Sequence, residues 1–532
     1  TFMKQNILIF LLIGLINYGS FSQSRWLMHY MDAFNAPVKD LKISYDNGYL
    51  LSGWISPNLP HYSWLIKTDI NGEVLWQKLI GGANNSTLAI EEICLNSVGE
   101  IFLCGGTMSG NDANPMLIKL NACGEKEWCT EFSTTSDNDF FWDVVCTPDG
   151  GCAVLVYGAF IPLFTYRAGI LKFSAGGDLL WQQYYQSPDQ SVSGVTLSDL
   201  NLAPDEGFLL SGFCYYLDPE NPDLAWLHPY YIKADSLGYF EWETIVHKET
   251  GDIGGQAFMS LVNPSGTNFY SCISHYYHSD TLYTTRPAIV KLDLQGNVMG
   301  VYDLVHGLYD LGKIMTFDFL NDSVLTGSAS WRNEEDEPQS RVVVLDTLGN
   351  ITNSVTILND YFLGFTKTTF DDKILILISD HTSGEFDPTL FKLTQDLEQD
   401  TFYTTPFIYD SLCPYQIASD TIVPDDCGLI VGIEEDDKTV GRYDGKKGGI
   451  ELFPNPASEL LHVRLNMDGG RFNKDLRLEI YDIFGRKVQE IKVLEKQNEV
   501  QINVEGYPPG IYLAVLKDES QYVCSGKFVV AR

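Results

Sequence analysis

The sequence predicts an all-β protein: a seven-bladed β-propeller followed by a small immunoglobulin-like β-sandwich. Three observations predict it. A turn-and-tryptophan unit recurs seven times between residues 66 and 401. A second hairpin lies upstream of these units. From residue 449 onward, apolar and polar residues alternate in a separate run of short segments.

The recurring unit is an apolar residue, Lys, any residue, Asp, Asn or Ser, two further residues, Gly, three residues and Trp. IKTDINGEVLW (66–76), IKLNACGEKEW (118–128), LKFSAGGDLLW (171–181) and IKADSLGYFEW (232–242) carry it in full. VKLDLQGNVMG (290–300) and VVLDTLGNITN (343–353) lose the Trp, and FKLTQDLEQDT (391–401) is a degenerate seventh. The polar residue accepts hydrogen bonds from the backbone ahead of it and starts the turn. Gly takes the left-handed position that closes a short hairpin. Trp76, Trp128, Trp181 and Trp242 are expected between neighbouring blades, each burying on the order of 200 Å². The spacing of 48 to 61 residues is near the blade length of propeller repeats.

Asn47 to Gly53, Gly99 to Gly105, Gly151 to Val156 and Gly207 to Gly212 form the upstream hairpins. Two hairpins give four strands, one blade, and seven blades make a ring. Residues 25–30 (RWLMHY) supply a candidate strand to close the ring with the last blade.

After 449, Leu461, Val463 and Leu465 alternate with His462 and Arg464. Leu476, Leu478 and Ile480 alternate with Arg477 and Glu479. Period-two alternation marks strands with one buried face. The resulting plan is a signal peptide at 1–22, a propeller at 23–404, an acidic linker at 405–448 and a sandwich at 449–532. The linker holds Leu429-Ile430-Val431, which suits packing on the propeller, and the run Glu434 to Asp437, a solvated spacer.

At the N-terminus, Lys4 precedes the apolar run Ile7 to Ile16, and Ser20-Phe21-Ser22 ends in small residues. This is the anatomy of a signal peptide cleaved between Ser22 and Gln23. The run falls short of the roughly 20 apolar residues needed to span a bilayer, so no transmembrane anchor is expected.

LFPNPASELLHVRL (452–465), LEIYDIFGRKV (478–488), PPGIYLAVL (508–516) and GKFVV (526–530) together resemble the type A C-terminal sorting domain of type IX secretion in Bacteroidota. Pro454, Asn455, Pro456, Gly485, Gly510 and Tyr512 are the motif positions. The resemblance implies recognition by the type IX secretion machinery and passage across the outer membrane. It also implies removal of the domain, with release or surface attachment, so the mature chain is placed outside the cell or on its surface. The repeats are similar to propeller-like regions of secreted Bacteroidota proteins, a likeness that carries no activity. Asp-Ser/Thr-apolar triplets, such as Asp235-Ser236-Leu237 and Asp346-Thr347-Leu348, resemble O-glycosylation sites of such proteins; turn chemistry explains part of that pattern.

The formal charge is −35 and the isoelectric point about 4.4. Such a field repels nucleic acid and anionic membranes. Eleven cysteines leave at least one unpaired. Cys146 and Cys152 flank a turn and could face each other, and Cys413 and Cys427 bracket a short segment; disulfides and buried thiols are equally compatible with these spacings.

No hydrolase elbow, zinc-protease helix, Walker loop or dinucleotide fingerprint occurs. No cofactor or metal is expected. His275 and His278 would point to opposite faces of a strand. Glu334 to Glu337 reads as a solvated charge run. The segments between the second and third strands of each blade are rich in aromatics. Trp54, Tyr62 and Trp64 lie in the first, Tyr215, Tyr216 and Trp226 in the fourth, Tyr276 and Tyr277 in the fifth, and Trp331 in the sixth. Aromatic rings beside polar groups suit sugar or peptide recognition, although they also suit packing between loops. The sequence favours a secreted, non-catalytic propeller that binds an extracellular glycan or protein. A polysaccharide-degrading enzyme or peptidase with acids drawn from several blades is the alternative, and a structural or adhesive surface component a third.

Overall fold

The computed structural model describes residues 26–531 except 31–35, 56–61, 82–86, 110–111, 134–139, 161–164, 218–224, 247–252, 280–281, 305–311, 333–336, 359–363, 381–385, 404–412, 414–418, 432–448, 467–475, 483–486, 494–498, 509 and 519–520. The signal peptide, its cleavage site and Gly485 lie outside the described residues. The chain divides into two compact units at Asp437 and Lys438, and the regular structure described in both is β-strand.

In the first unit the described strands form seven sheets, each built on antiparallel strands in the up-and-down order of propeller-type folds. Sheet 1 runs Val38–Ile43, Tyr49–Ile55, Tyr62–Thr68 and Val74–Ile80. Sheets 2 to 6 repeat this over 87–133, 140–185, 192–245, 253–303 and 312–358. Sheet 7 has Gly364–Thr368, Ile374–Asp380 and Asp387–Leu393, and takes its fourth strand, Leu27–His29, from the start of the chain. The first strands of the seven sheets adjoin one another in cyclic order, with sheet 7 meeting sheet 1.

Each turn of the recurring unit has the geometry its sequence requires. Asp69 Oδ1 accepts hydrogen bonds from the backbone N–H groups of Asn71 (2.8 Å) and Glu73 (2.9 Å). Asn121, Asp235, Asp293 and Asp346 act in the same way. Gly72, Gly124, Gly177, Gly238, Gly296 and Gly349 have φ between 73° and 90°, the left-handed region where a side chain is penalised.

These glycines have a second duty. A Cβ on Gly124 would lie 2.9 Å from the Trp76 ring of the preceding sheet. Trp128 covers Gly177, Trp181 covers Gly238, and Trp242 covers Gly296. Trp26, next to the N-terminal strand of sheet 7, covers Gly72 of sheet 1 in the same manner. Where the motif Trp is replaced by Gly300, the Tyr302 ring folds over that glycine, and Gly349 meets the Cβ and backbone of Tyr302 instead of a ring. At the last junction, where Asn353 holds the Trp position, its amide donates to Asp396 O at 3.1 Å.

Within the segment read as a linker, Asp420–Ile422 pairs in parallel with the outer strand of sheet 1. Gly428–Val431 does the same on sheet 2. Disulfides Cys123–Cys413 and Cys129–Cys427 fasten this strap to sheet 2, and Cys94–Cys146 joins sheets 2 and 3. The sequence spacings misdirect here. Cys146 does stand opposite Cys152, but it bonds Cys94 on the neighbouring sheet, and Cys413 and Cys427 bond different partners. Cys104, Cys152, Cys214 and Cys272 are buried thiols outside these three disulfides.

The second unit stacks a three-stranded sheet on a four-stranded one. Leu461, Val463, Val500 and Ile502 from the first meet Leu478, Ile480, Leu516 and Phe528 from the second in one core. Pro454 and Pro456 follow cis peptide bonds. The Asn455 side chain accepts from Val529 N at 2.8 Å, and Tyr512 stacks on Phe528 while its hydroxyl donates to Pro508 O. The motif positions described thus tie the first strand of this unit to its last.

Candidate functional site

The aromatic residues singled out in the sequence belong to the far ends of second and third strands, which extend further than the spacing suggested. Sheet 1 brings Trp54, Tyr62 and Trp64 together. Trp64 is buried and donates its indole N–H to Trp54 O at 3.0 Å. Lys39 Nζ lies 4.5 Å from the centre of the partly exposed Trp54 ring. Sheet 4 pairs Tyr216 with Trp226 across its second and third strands. Tyr216 meets His228 edge to face at 5.8 Å, and Tyr215 meets Phe213 at 5.9 Å. Tyr215 is 43% exposed and turns outward. Trp331 is buried in the core beneath sheet 6 and presents no face. Tyr276 and Tyr277 lie in the second strand of sheet 5; their side chains, and that of His278, are outside the described residues. His275 is buried and its Nδ1 lies 2.8 Å from Asp303 Oδ1. Among the described side chains, the exposed members of this set therefore fall on two different sheets, 1 and 4.

A second constellation escaped the sequence reading. The first strands carry Asp40, Glu92, Asp143 and Asp199 at matching positions, just past an irregularity in pairing. Three of these carboxylates clasp neighbouring sheets. Asp40 accepts from Ile93 N of sheet 2 at 3.1 Å, Asp143 from Leu200 N of sheet 4 at 2.6 Å, and Asp199 from Ser260 N of sheet 5 at 2.9 Å. Asp318 of sheet 6 accepts from Thr368 N of sheet 7 at 2.8 Å. Lys42 sits among them, 3.0 Å from Asp40 and 2.6 Å from Glu92.

Protonation is displaced at Glu92, Asp143, Asp199 and Lys42. Burial pushes the carboxyls of Glu92 and Asp143 well above the ordinary range, and neighbouring Asp40 and Asp199 add to it. Asp199 is raised for the same first cause, against hydrogen bonds from Ser211 and Ser260 that favour its charge. Burial opposes the charge on Lys42, but Asp40, Glu92 and Asp143 outweigh it and hold the ammonium protonated. Several carboxylates share one cation, so the surplus negative charge is relieved by protons. The matching acid in different repeats was the available signal, obscured because the short turn units draw the alignment to the outer strands.

Residues 451–531 match the family described as the secretion system C-terminal sorting domain. This tail implies the type IX secretion machinery and export to the cell surface or extracellular space. No helix among the described residues is long and apolar enough to cross a membrane. No curated protein matches the chain. Among solved structures, a polysaccharide lyase described as an ulvan lyase aligns over 71% of this chain and 98% of its own, at 8% identity and a TM-score of 0.47. A further polysaccharide lyase aligns over 71% and 94%, at 8% identity and a TM-score of 0.41. A Dyadobacter fermentans protein of unknown function aligns over 59% and 96%, at 12% identity and a TM-score of 0.40.

Proposed function

We propose that the seven sheets close into a seven-bladed propeller, and that this exported propeller binds an extracellular glycan or protein without catalysis. Exposed Tyr215, backed by Phe213 on the same face of sheet 4, carries the reading. A ring held by its neighbours loses little freedom when a ligand stacks on it. The interior acids fit a structural role, because Asp40, Asp143, Asp199 and Asp318 are engaged with backbone N–H groups of adjoining sheets.

Glu92 favours a second reading, an enzyme acting on polysaccharide. A carboxyl kept protonated by burial is suited to general acid work. Incubating the chain with polysaccharides and extracellular proteins separates the two. Depletion from solution without new products supports the binding module. New small products that vanish in Glu92→Gln would establish the enzyme. The export step has its own test: removing residues 449–532 should retain the protein in the periplasm, and normal surface delivery of the truncated chain would refute it.

A further inference from the structure

In six of the seven sheets, the pairing of first and second strands skips one residue at the same place. The skipped residues are Lys39, Glu91, Trp142, Ser198, Phe258 and Met315. Such a bulge re-aims the side chain it inserts. The effect shows in burial. Phe141 and Asp143 are buried, yet Trp142 between them is 39% exposed. Leu197 and Asp199 are buried, and Ser198 between them is exposed. Lys39 and Glu91 are likewise more open than Val38, Asp40 and Ile90. Among the described residues, the first strands have no further strand on their inner edge, and they adjoin one another in cyclic order. A side chain leaving such a strand toward solvent opens into the space these strands surround.

We infer that these bulges build a binding site at the centre of the first unit for an uncharged glycan, a site distinct from the Tyr215 patch. The inference rests on the propeller reading above. Trp142 supplies a ring face, steadied by Phe140 at 6.4 Å. Ser198 supplies a hydroxyl. Glu91 and Lys39 form an ion pair at 2.6 Å, and the Trp54 ring holds Lys39 from its other side. Apolar ring faces with a few fixed polar groups are the ordinary chemistry of sugar recognition. The charge pattern then selects among sugars. Both lysines of this region are engaged, Lys39 by Glu91 and Lys42 by Asp40 and Glu92. A sulfated or uronate chain would meet acids on every side within a molecule of charge −35. A cationic peptide finds Glu91 already paired and Asp40, Asp143 and Asp199 occupied by backbone donors. An uncharged sugar needs neither a free cation nor a free carboxylate.

The test is calorimetric titration of the full chain with uncharged polysaccharides (a mixed-linkage β-glucan, a glucomannan and a xyloglucan), a sulfated galactan and polylysine. Binding to at least one uncharged polysaccharide is expected. Trp142→Ala should weaken it roughly tenfold, and Trp142→Tyr should retain most of it. Undiminished affinity in Trp142→Ala, or tighter binding of the sulfated galactan or polylysine, would overturn the inference. Loss of binding in Tyr215→Ala alone would remove the central site while leaving the aromatic-patch reading intact. An unaltered chain that binds no member of this panel sinks the inference; if it also ignores extracellular proteins, the binding reading falls with it.

Discussion

Lys233 shows what the lysine of the recurring unit does. Its ammonium is buried and donates to Asp205 at 2.9 Å, Glu241 at 2.8 Å and the carbonyl of Ala234 at 2.9 Å. Asp205 belongs to the turn between the first and second strands, so the bond ties the two hairpins of one sheet together. Lys67 to Asp46 and Lys172 to Asp149 repeat the arrangement. In sheet 6, Val344 replaces the lysine, and Asp322 of that sheet instead accepts from Ser265 N of sheet 5 at 2.7 Å. The pattern was visible in the sequence as a conserved letter of the repeat, but its partner lies 21 to 28 residues upstream, too far for turn chemistry to reveal. Lys233→Met should destabilise the fold by about 2 kcal/mol, because three acceptors lose a charged donor while the partly exposed carboxylates regain water. Guanidinium unfolding would measure it. Gly124→Ala provides a companion test: its positive φ and the Trp76 ring 2.9 Å away predict a loss of about 1–3 kcal/mol, whereas Gly506→Ala, with nothing within 4 Å of the added carbon, should lose less.

At the scale of elements, periodicity made the strands, turns and tryptophan contacts legible, since each depends on residues a few positions apart. The strap and its disulfides were not, because they join positions 290 and 298 residues apart. Only the apolar triplet Leu429-Ile430-Val431 hinted at the second strap strand. The strap gives sheets 1 and 2 a fifth strand and covers edges that would otherwise stay unpaired. Its two disulfides support each other. With Cys123–Cys413 intact, breaking Cys129–Cys427 opens only a small covalent ring, a loss of roughly 3 kcal/mol in the chain-entropy account. Losing both frees a loop of 290 residues or more, about two-thirds of the first unit. The Cys413→Ser/Cys427→Ser double variant should therefore lose more stability than the sum of the two single variants. Simple additivity in denaturant titrations would show that the strap strands hold without covalent help.

For the whole molecule, the decisive feature is how the acids of the first strands respond to pH. Glu92, Asp143 and Asp199 are raised above their ordinary values, so the folded state holds protons that the unfolded chain releases. Between the ordinary carboxyl range, about pH 4, and the raised folded values, the folded state binds more protons than the unfolded one. Stability must then fall as pH rises across that window. The acids of the lysine clasps act in the opposite direction. Hydrogen bonds and the charge of Lys172 and Lys233 outweigh burial and lower Asp149 and Asp205, and their contribution is lost only as pH falls through those lowered values. The two groups together predict a stability maximum near the ordinary carboxyl range, about pH 4. Glu92→Gln removes one titrating acid while keeping the shape of its side chain and an acceptor for Lys42. Its melting temperature should gain on that of the unaltered chain as pH is raised from 5 to 8 on the order of a pH series, and the two should converge toward the acid end. Parallel melting curves across the series would mean that the first-strand acids exchange no protons on unfolding, and the central cluster would then be no more than a set of ordinary ion pairs.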